Sequence, residues 1–144
     1  MVTYADSSFL VSTYIADGKT VAANHFLQRN SNPILLTAFS KSETQHAMRM
    51  LSFREIVPHE VMARGLLTFE QDQQKSLYEM FPLAAEDLFY KASQLSHRHA
   101  LESGVRYLDM LHIAAALMAN ATRFLTFDGR QGKLAKAVGL QVKP

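Results

Sequence analysis

The stretch that most constrains the fold joins a predicted helix to a predicted strand and ends in an acid. Residues 106–117 predict an alanine-rich helix with Asp109 in its opening turn, because alanine and leucine have high helix propensities and nothing interrupts the run. Residues 123–127 form an apolar and β-branched run of strand length, which ends at Asp128. Ligands bind outside the carboxyl ends of strands in open parallel sheets, so Asp128 is predicted to lie where chemistry is usually done.

Strands and helices alternate along the rest of the chain. The predicted strands are residues 2–5, 34–37 and 140–142, and the predicted helices are residues 9–16, 19–29, 40–51, 58–81, 84–99 and 133–138. Gly65 is predicted to break the helix of residues 58–81, because glycine is a poor helix former. The alternation predicts an α/β fold with a parallel sheet and helices on both of its faces.

The composition is that of one globular domain. The chain has 144 residues, of which 48% are hydrophobic and 19% charged, and this predicts a single domain over residues 1–144. There is no cysteine, which excludes disulfides and thiolate metal sites. No signal-like segment opens the sequence and no run reaches the ~18 apolar residues of a membrane span, so we expect a soluble cytoplasmic protein without membrane contact. The net charge of +2 is compatible with a polyanionic substrate.

Four acids occupy comparable positions in this predicted fold. Asp6 follows the first strand as Asp128 follows a later one, whereas Glu43 and Asp109 are predicted in the opening turns of helices. Carboxylates brought together repel one another, so such a cluster needs a cation, and oxygen ligands without cysteine favour Mg²⁺ or Mn²⁺. An ion of this kind activates a water molecule and stabilises the charge that develops on a phosphodiester.

Each of these acids also has a purely structural interpretation. Glu43 completes a capping box with Ser40, and Asp109 complements the dipole of its helix. Asp6 and Asp128 suit ordinary cap or turn positions. The occurrence of all four at strand ends or just beyond them favours a common site.

Two further features leave alternatives open. His112 lies one helical turn after Asp109 and is either a metal ligand beside it or, as is more usual, a hydrogen-bonded core residue. Several apolar side chains in the helical segments before Gly65 exceed what a small core obviously needs. These residues are Phe9, Tyr14, Phe26, Phe53 and Met62. They predict a docking surface for a partner, a two-fold dimer, or internal packing.

Four stretches, taken in their order and spacing, resemble a known family. They are residues 4–10, 42–43, 106–114 and 126–131, with Leu134-Ala135 and Gly139-Leu140 behind them. Together they resemble the PIN-domain nucleases and, within them, the VapC-type toxins of toxin–antitoxin pairs. The resemblance spans nearly the whole chain.

The resemblance implies a three-layer α/β/α sandwich around a parallel sheet. It also implies a Mg²⁺- or Mn²⁺-dependent endoribonuclease that cleaves single-stranded RNA and acts as a toxin, with an antitoxin segment that covers the acidic site. The acidic quartet of the family, which holds the metal and carries the catalysis, is matched by Asp6, Glu43, Asp109 and Asp128. Its hydroxyl positions near the metal are matched by Ser7 and Thr126, where a hydroxyl orients a carboxylate or a bound water.

One departure from the family pattern follows the last acid. Many relatives carry a further acid there, whereas this chain has Gly129-Arg130-Gln131, so both one and two metal ions remain compatible with the sequence. Arg130 either approaches a substrate phosphate or is an ordinary solvated arginine. The alternative function is a degenerate PIN-like module that binds RNA or protein without cleavage. A phosphoryl-accepting protein is disfavoured, because Ser8 stands where a phosphatase needs a second acid.

Overall fold

A computed structural model describes all residues, 1–144. Its elements in chain order are β1 (Thr3–Ala5), α1 (Ser7–Tyr14), α2 (Thr20–Arg29), β2 (Ile34–Leu36), α3 (Ala38–Phe53), α4 (His59–Gln74), β3 (Tyr78–Met80), α5 (Ala85–Ser103), α6 (Tyr107–Met118), β4 (Arg123–Leu125), α7 (Gly129–Ala137) and β5 (Gln141–Lys143). The five strands form one sheet in the order β3-β2-β1-β4-β5, and every pairing is parallel. The predicted parallel α/β sheet is confirmed.

The three inner strands β1, β2 and β4 are buried on both faces, as expected of a sheet between two helical layers, whereas the edge strands β3 and β5 are largely exposed. Helices α5, α6 and α7 pack on one face against side chains of β1, β2 and β4, namely Tyr4, Leu35 and Phe124. Helices α1 to α4 pack on the other face, against Ala5, Ile34, Leu36, Tyr78 and Leu125. Successive side chains of a strand point to opposite faces, so this division follows the period of two and confirms the α/β/α sandwich.

Strand β1 lies at the centre of the sheet. Thr3 is in register with Ile34 of β2 on one side and with Arg123 of β4 on the other. The carboxyl ends of these three strands therefore meet at one edge of the sheet, and the residues that follow them come close together.

The prediction of one helix over residues 58–81 is wrong in two respects. Helix α4 ends at Gln74, and residues 78–80 form the edge strand β3, paired with β2. Ser76 adopts a φ of 62°, a left-handed conformation that stops the helix before the strand.

Gly65 does not break α4 but lets it approach α1. A Cβ atom at Gly65 would lie 2.6 Å from Cδ1 of Ile15 and 3.0 Å from the carbonyl oxygen of Tyr14. The residue is glycine because two helices meet there.

The apolar residues that predicted a docking surface are mostly internal. Phe9 and Met62 are buried and Tyr14 and Phe26 are partly buried in the core beneath α1 to α4. Only Phe53 is exposed, at 78%. Internal packing therefore accounts for four of the five residues. No helix of the protein combines the length and the apolar character needed to cross a bilayer.

Candidate active site

The four predicted acids line one cavity at the carboxyl edge of the sheet. The cavity has a volume of about 580 Å³, and its polar walls include Asp6, Ser7, Ser8, Asp17, Glu43, Arg106, Asp109 and Asp128. Residues from four separate parts of the chain thus reach one space, as the strand order requires. Asp17 is a fifth acid on its wall, held in a local turn by the hydroxyl of Ser12.

Asp6 is the most deeply set of the acids. It caps α1, where its Oδ1 accepts a hydrogen bond from the backbone N–H of Phe9 at 2.9 Å. The hydroxyl of Ser8 lies 2.8 and 2.9 Å from its two oxygens, and the hydroxyl of Thr126 donates to Oδ2 at 2.6 Å. Only 2% of Asp6 is exposed, and burial raises the pKa of its carboxyl in spite of these donors.

Asp128 is held in a similar way but less completely. It caps α7, and its Oδ1 accepts from the backbone N–H of Gln131 at 2.7 Å. Its other oxygen accepts no hydrogen bond from the protein. Capping and a role in a site are therefore compatible for Asp128, because the cap engages one carboxylate oxygen and leaves the second open. In Asp6, the second oxygen also accepts from the hydroxyls of Ser8 and Thr126.

Asp109 lies in the first turn of α6, as predicted, and pairs with Arg106. The Nε of Arg106 donates to its Oδ2 at 3.0 Å, and the arginine side chain is 80% exposed. This hydrogen bond and the charge of Asp109 raise the pKa of the Arg106 guanidinium, with smaller contributions from Asp128 and Glu43. Arg106 thus compensates part of the negative charge of the cavity.

Glu43 does not take part in a capping box. The box of α3 is formed by Thr37 and Ser40, and Glu43 lies beyond the first turn. The correction has a simple cause: Thr37 and Ser40 are both good caps, and the helix begins at the earlier one.

The carboxylate of Glu43 is anchored from the core by His112. Its Oε2 lies 2.5 Å from Nε2 of His112, whose ring is completely buried and does not line the cavity. Burial alone would raise the pKa of Glu43, but the hydrogen bond and charge of His112, with a further contribution from Ser7, lower it. His112 is therefore the buried, hydrogen-bonded core residue that the sequence favoured, not a ligand facing the cavity.

The structure separates the two predicted hydroxyl residues. Thr126 contacts Asp6 directly, whereas Ser7 lies on the cavity wall beside Glu43. The hydroxyl that supports Asp6 from its own helix is that of Ser8, which also accepts from the backbone N–H of Phe127. The sequence analysis considered Ser8 only as the residue that stands where a phosphatase needs a second acid.

Gln131 is a further residue of the site that the sequence analysis did not predict. It is 1% exposed, its Oε1 lies 3.0 Å from the Thr126 hydroxyl, and its Nε2 donates to the carbonyl oxygen of Asp109 at 2.8 Å. It therefore joins the end of β4 to the first turn of α6. The only feature of the sequence that could have indicated this role is that Gln131 lies three residues after Asp128.

The donor set fits a hard divalent cation. All the acidic ligands are oxygens, the hydrogen bonds of Asp109 and Asp128 leave one oxygen of each open, and no soft ligand is present. No three acidic or histidine side chains converge on a common ligand position in the structure. Each acid is held by its own partners.

Comparison with known proteins identifies a family. The model of the PIN domain matches residues 3–137 of the chain. Comparison with curated proteins finds no relative that matches the sequence.

Solved structures share the fold. VapC20 of Mycobacterium tuberculosis, a sarcin–ricin loop cleaving toxin, is similar with a TM-score of 0.70 and 17% identity over 99% of both chains. VapBC2 of Rickettsia felis, bound to a DNA fragment from its promoter, has a TM-score of 0.67 and 14% identity over 99% of this chain and 98% of the other. PAE2754 of Pyrobaculum aerophilum has a TM-score of 0.59 and 15% identity over 98% and 89% of the chains.

Proposed function

The chain belongs to the PIN domain family, and on that premise we propose that it is a Mg²⁺- or Mn²⁺-dependent endoribonuclease that cleaves single-stranded RNA as the toxin of a toxin–antitoxin pair. The observation that carries the proposal is the cavity lined by Asp6, Glu43, Asp109 and Asp128. Asp6 follows β1, Glu43 and Asp109 lie on α3 and α6, and Asp128 follows β4. A fold has little structural reason to place four carboxylates around one open cavity.

The side chains divide the work of holding a cation. Asp6 is fixed by its cap and by two hydroxyls, whereas Asp109 and Asp128 each present an open oxygen to the cavity. A bound Mg²⁺ or Mn²⁺ supplies an activated water and charge stabilisation at the phosphate. Arg106 pairs with Asp109, and its exposed guanidinium would suit a substrate phosphate beside a bound cation.

A second cleft continues from the acids along the same edge. It has a volume of about 260 Å³ and is lined by Arg106, Asp109, Asp128, Arg130 and Gln131, with Val105. Arg130 is exposed, and its Nη1 lies 3.3 Å from the carbonyl oxygen of Gly104. Two arginines beside two acids suit a phosphodiester chain that passes the cation.

The partner is proposed to be an antitoxin. The VapC-type toxins that the sequence resembles belong to toxin–antitoxin pairs, and a nuclease that cuts cellular RNA needs an inhibitor in its host. A basic antitoxin side chain over the acid cavity fits its charge. A two-fold dimer of this chain is the expected oligomer.

The alternative is a PIN module that binds RNA without cutting it. The acid quartet is intact, which favours cleavage. A non-cleaving module would bind RNA equally well with or without a divalent cation.

The test is cleavage of an end-labelled single-stranded RNA by purified protein. Cleavage is expected with Mg²⁺ or Mn²⁺ and is abolished by excess chelator. Asp128→Asn removes the charge but keeps a competent cap, so it should fold normally and lose about 10²-fold or more in rate. Asp87→Asn is the matched control, because Asp87 lies in the first turn of α5 and outside the cavity. Cleavage that persists in chelator, or an unaffected Asp128→Asn variant, contradicts the nuclease proposal.

The toxin role is tested separately in cells. Expression of this chain alone is expected to slow growth, and co-expression with the adjacent small gene to restore growth and yield a co-purifying complex. A chain that is harmless alone and binds no neighbouring product has no toxin role, even if it cleaves RNA in vitro.

A further inference from the structure

A buried hydrogen-bonded chain runs from the core of the protein to the acid cavity. The hydroxyl of Tyr4 lies 3.0 Å from Nδ1 of His112, and Nε2 of His112 lies 2.5 Å from Oε2 of Glu43. Tyr4 and His112 are both completely buried, whereas the Glu43 side chain is 23% exposed. The chain therefore ends at the one member that reaches the cavity.

The hydrogen bond between His112 and Glu43 has one direction. Nε2 of His112 faces a carboxylate oxygen, which can only accept, so Nε2 carries a proton and donates to Glu43. An unprotonated Nε2 would set a nitrogen lone pair against the carboxylate oxygen. On the other side of the ring, Nδ1 lies beside the buried Tyr4 hydroxyl, which also has the hydroxyls of Thr37 and Ser40 as hydrogen-bond partners.

The imidazole ring is held against rotation by its neighbours. The ring of Phe39 packs on it with centroids 4.6 Å apart, and the ring of Tyr4 packs edge-on at 5.9 Å. A rigid donor at 2.5 Å can fix a flexible acceptor. Glu43 needs such an anchor, because it is the only acid of the quartet that is neither a helix cap nor paired with an arginine.

We propose that His112 is a positioning residue, which holds the Glu43 carboxylate toward the acid cavity through Nε2–H. The role rests on the proposed cation site of which Glu43 is a member. A partner that orients a metal-binding side chain typically changes metal affinity about 10–100-fold when it is removed. His112 is buried in the core, so its contribution to folding must be separated from this role.

The experiment compares two substitutions of His112 with a core control. His112→Gln keeps a donor near the place of Nε2, and His112→Leu keeps the bulk without a donor. Ile113→Val removes a methyl group from the next residue of α6, which is completely buried and makes no bond to Glu43. Mn²⁺ affinity is measured by calorimetry on the folded variants, together with the metal-free melting temperature and the kcat and KM for RNA.

The proposal predicts that His112→Leu weakens Mn²⁺ binding about 10–100-fold and lowers kcat with little change in KM. His112→Gln should bind Mn²⁺ with an affinity within about threefold of that of the unaltered protein, because it keeps a donor for Glu43. Ile113→Val should lower the melting temperature without changing Mn²⁺ affinity. Equal Mn²⁺ affinity in His112→Leu and the unaltered protein overturns the proposal, as does a Gln variant as weak as the Leu variant.

Nitrogen-15 NMR of the unaltered, metal-free protein keeps the test independent of how the variants fold. A proton on Nε2 of His112 supports the positioning role, and an unprotonated Nε2 overturns it. If Nε2 is protonated but the protein neither binds Mn²⁺ nor cuts RNA, the proposed nuclease function is contradicted and the hydrogen bond from His112 to Glu43 is not. The two failures are therefore distinguishable.

Discussion

Replacement of Thr126 by valine tests how the acid cavity is built, because the two side chains have nearly the same shape. The hydroxyl of Thr126 donates to Asp6 at 2.6 Å and accepts from the backbone N–H of Asp128 at 3.0 Å. It also lies 3.0 Å from Oε1 of Gln131. Valine removes all of these bonds and leaves the packing intact.

The expected cost follows from the bonds that are lost. A hydrogen bond to a charged group contributes about 1.5–3 kcal/mol, and a buried donor left without a partner adds to that cost. We expect Thr126→Val to lower the free energy of unfolding by about 2–4 kcal/mol in total. For a domain of this size that corresponds to a melting temperature lower by about 6–12 °C.

The loss should depend on pH in a defined direction. The hydrogen bond from Thr126 lowers the pKa of Asp6, against the larger effect of burial, which raises it. The hydroxyl therefore stabilises the ionised carboxylate more than the neutral acid. The destabilisation by Thr126→Val should be largest at neutral to alkaline pH and should shrink as Asp6 is protonated at low pH.

The assay is urea unfolding of the metal-free protein at several pH values. Thr68→Val is the matched control, because Thr68 is exposed on α4 and its hydroxyl bonds only to a helix carbonyl. The control should change stability by less than about 0.5 kcal/mol. If Thr126→Val is as mild as Thr68→Val at every pH, the hydroxyl does not support Asp6 and the described site is incorrect.

Three further substitutions test the charge of the cavity and the packing of the helices. Asp6→Asn should raise the metal-free melting temperature while abolishing RNA cleavage. Burial raises the folded-state pKa of Asp6, so ionisation of this carboxyl destabilises the fold above the unfolded pKa of about 3.9. The increase in melting temperature should therefore grow as the pH rises from the unfolded pKa through the folded pKa. A lower metal-free melting temperature with full activity would make Asp6 structural. Gly65→Ala should destabilise the protein by about 1–3 kcal/mol because its Cβ meets Ile15, whereas Gly132→Ala on α7, whose nearest contact is 3.5 Å, should stabilise it by about 0.5–1 kcal/mol in the same melting assay. Equal effects of the two substitutions would contradict the described contact of α4 with α1.

The sequence predicted those parts of the fold that local patterns determine. The buried strands β1, β2 and β4 are short apolar runs, and Asp6 and Asp128 are polar residues that cap the helices after them. Strand order then brings these residues together, so the acids at strand ends were predictable. The same local rules failed for β3, where the decisive event is the left-handed Ser76, a conformation that its residue type does not favour.

The supporting partners of the acids depend on contacts between distant parts of the chain. Tyr4 and His112 are 108 residues apart, and nothing in either local sequence indicates that they meet. Gln131 is a polar residue at a buried position, which a hydrophobicity pattern assigns to the surface. Such residues become visible only when the sheet places β1 beside β4 and α6 behind β1.

The central claim is that Asp6, Glu43, Asp109 and Asp128 act together as one divalent-cation centre. Its most direct test compares the Mn²⁺ binding isotherms of the Asp109→Asn and Asp87→Asn variants. Both acids lie in the first turn of a helix, so each substitution removes the same interaction with a helix dipole, but only Asp109 lines the cavity. The unaltered protein and Asp87→Asn should bind Mn²⁺ with the same affinity, and Asp109→Asn should bind at least about tenfold more weakly. Equal affinities in the two variants, or no Mn²⁺ binding by the unaltered protein, would contradict the claim.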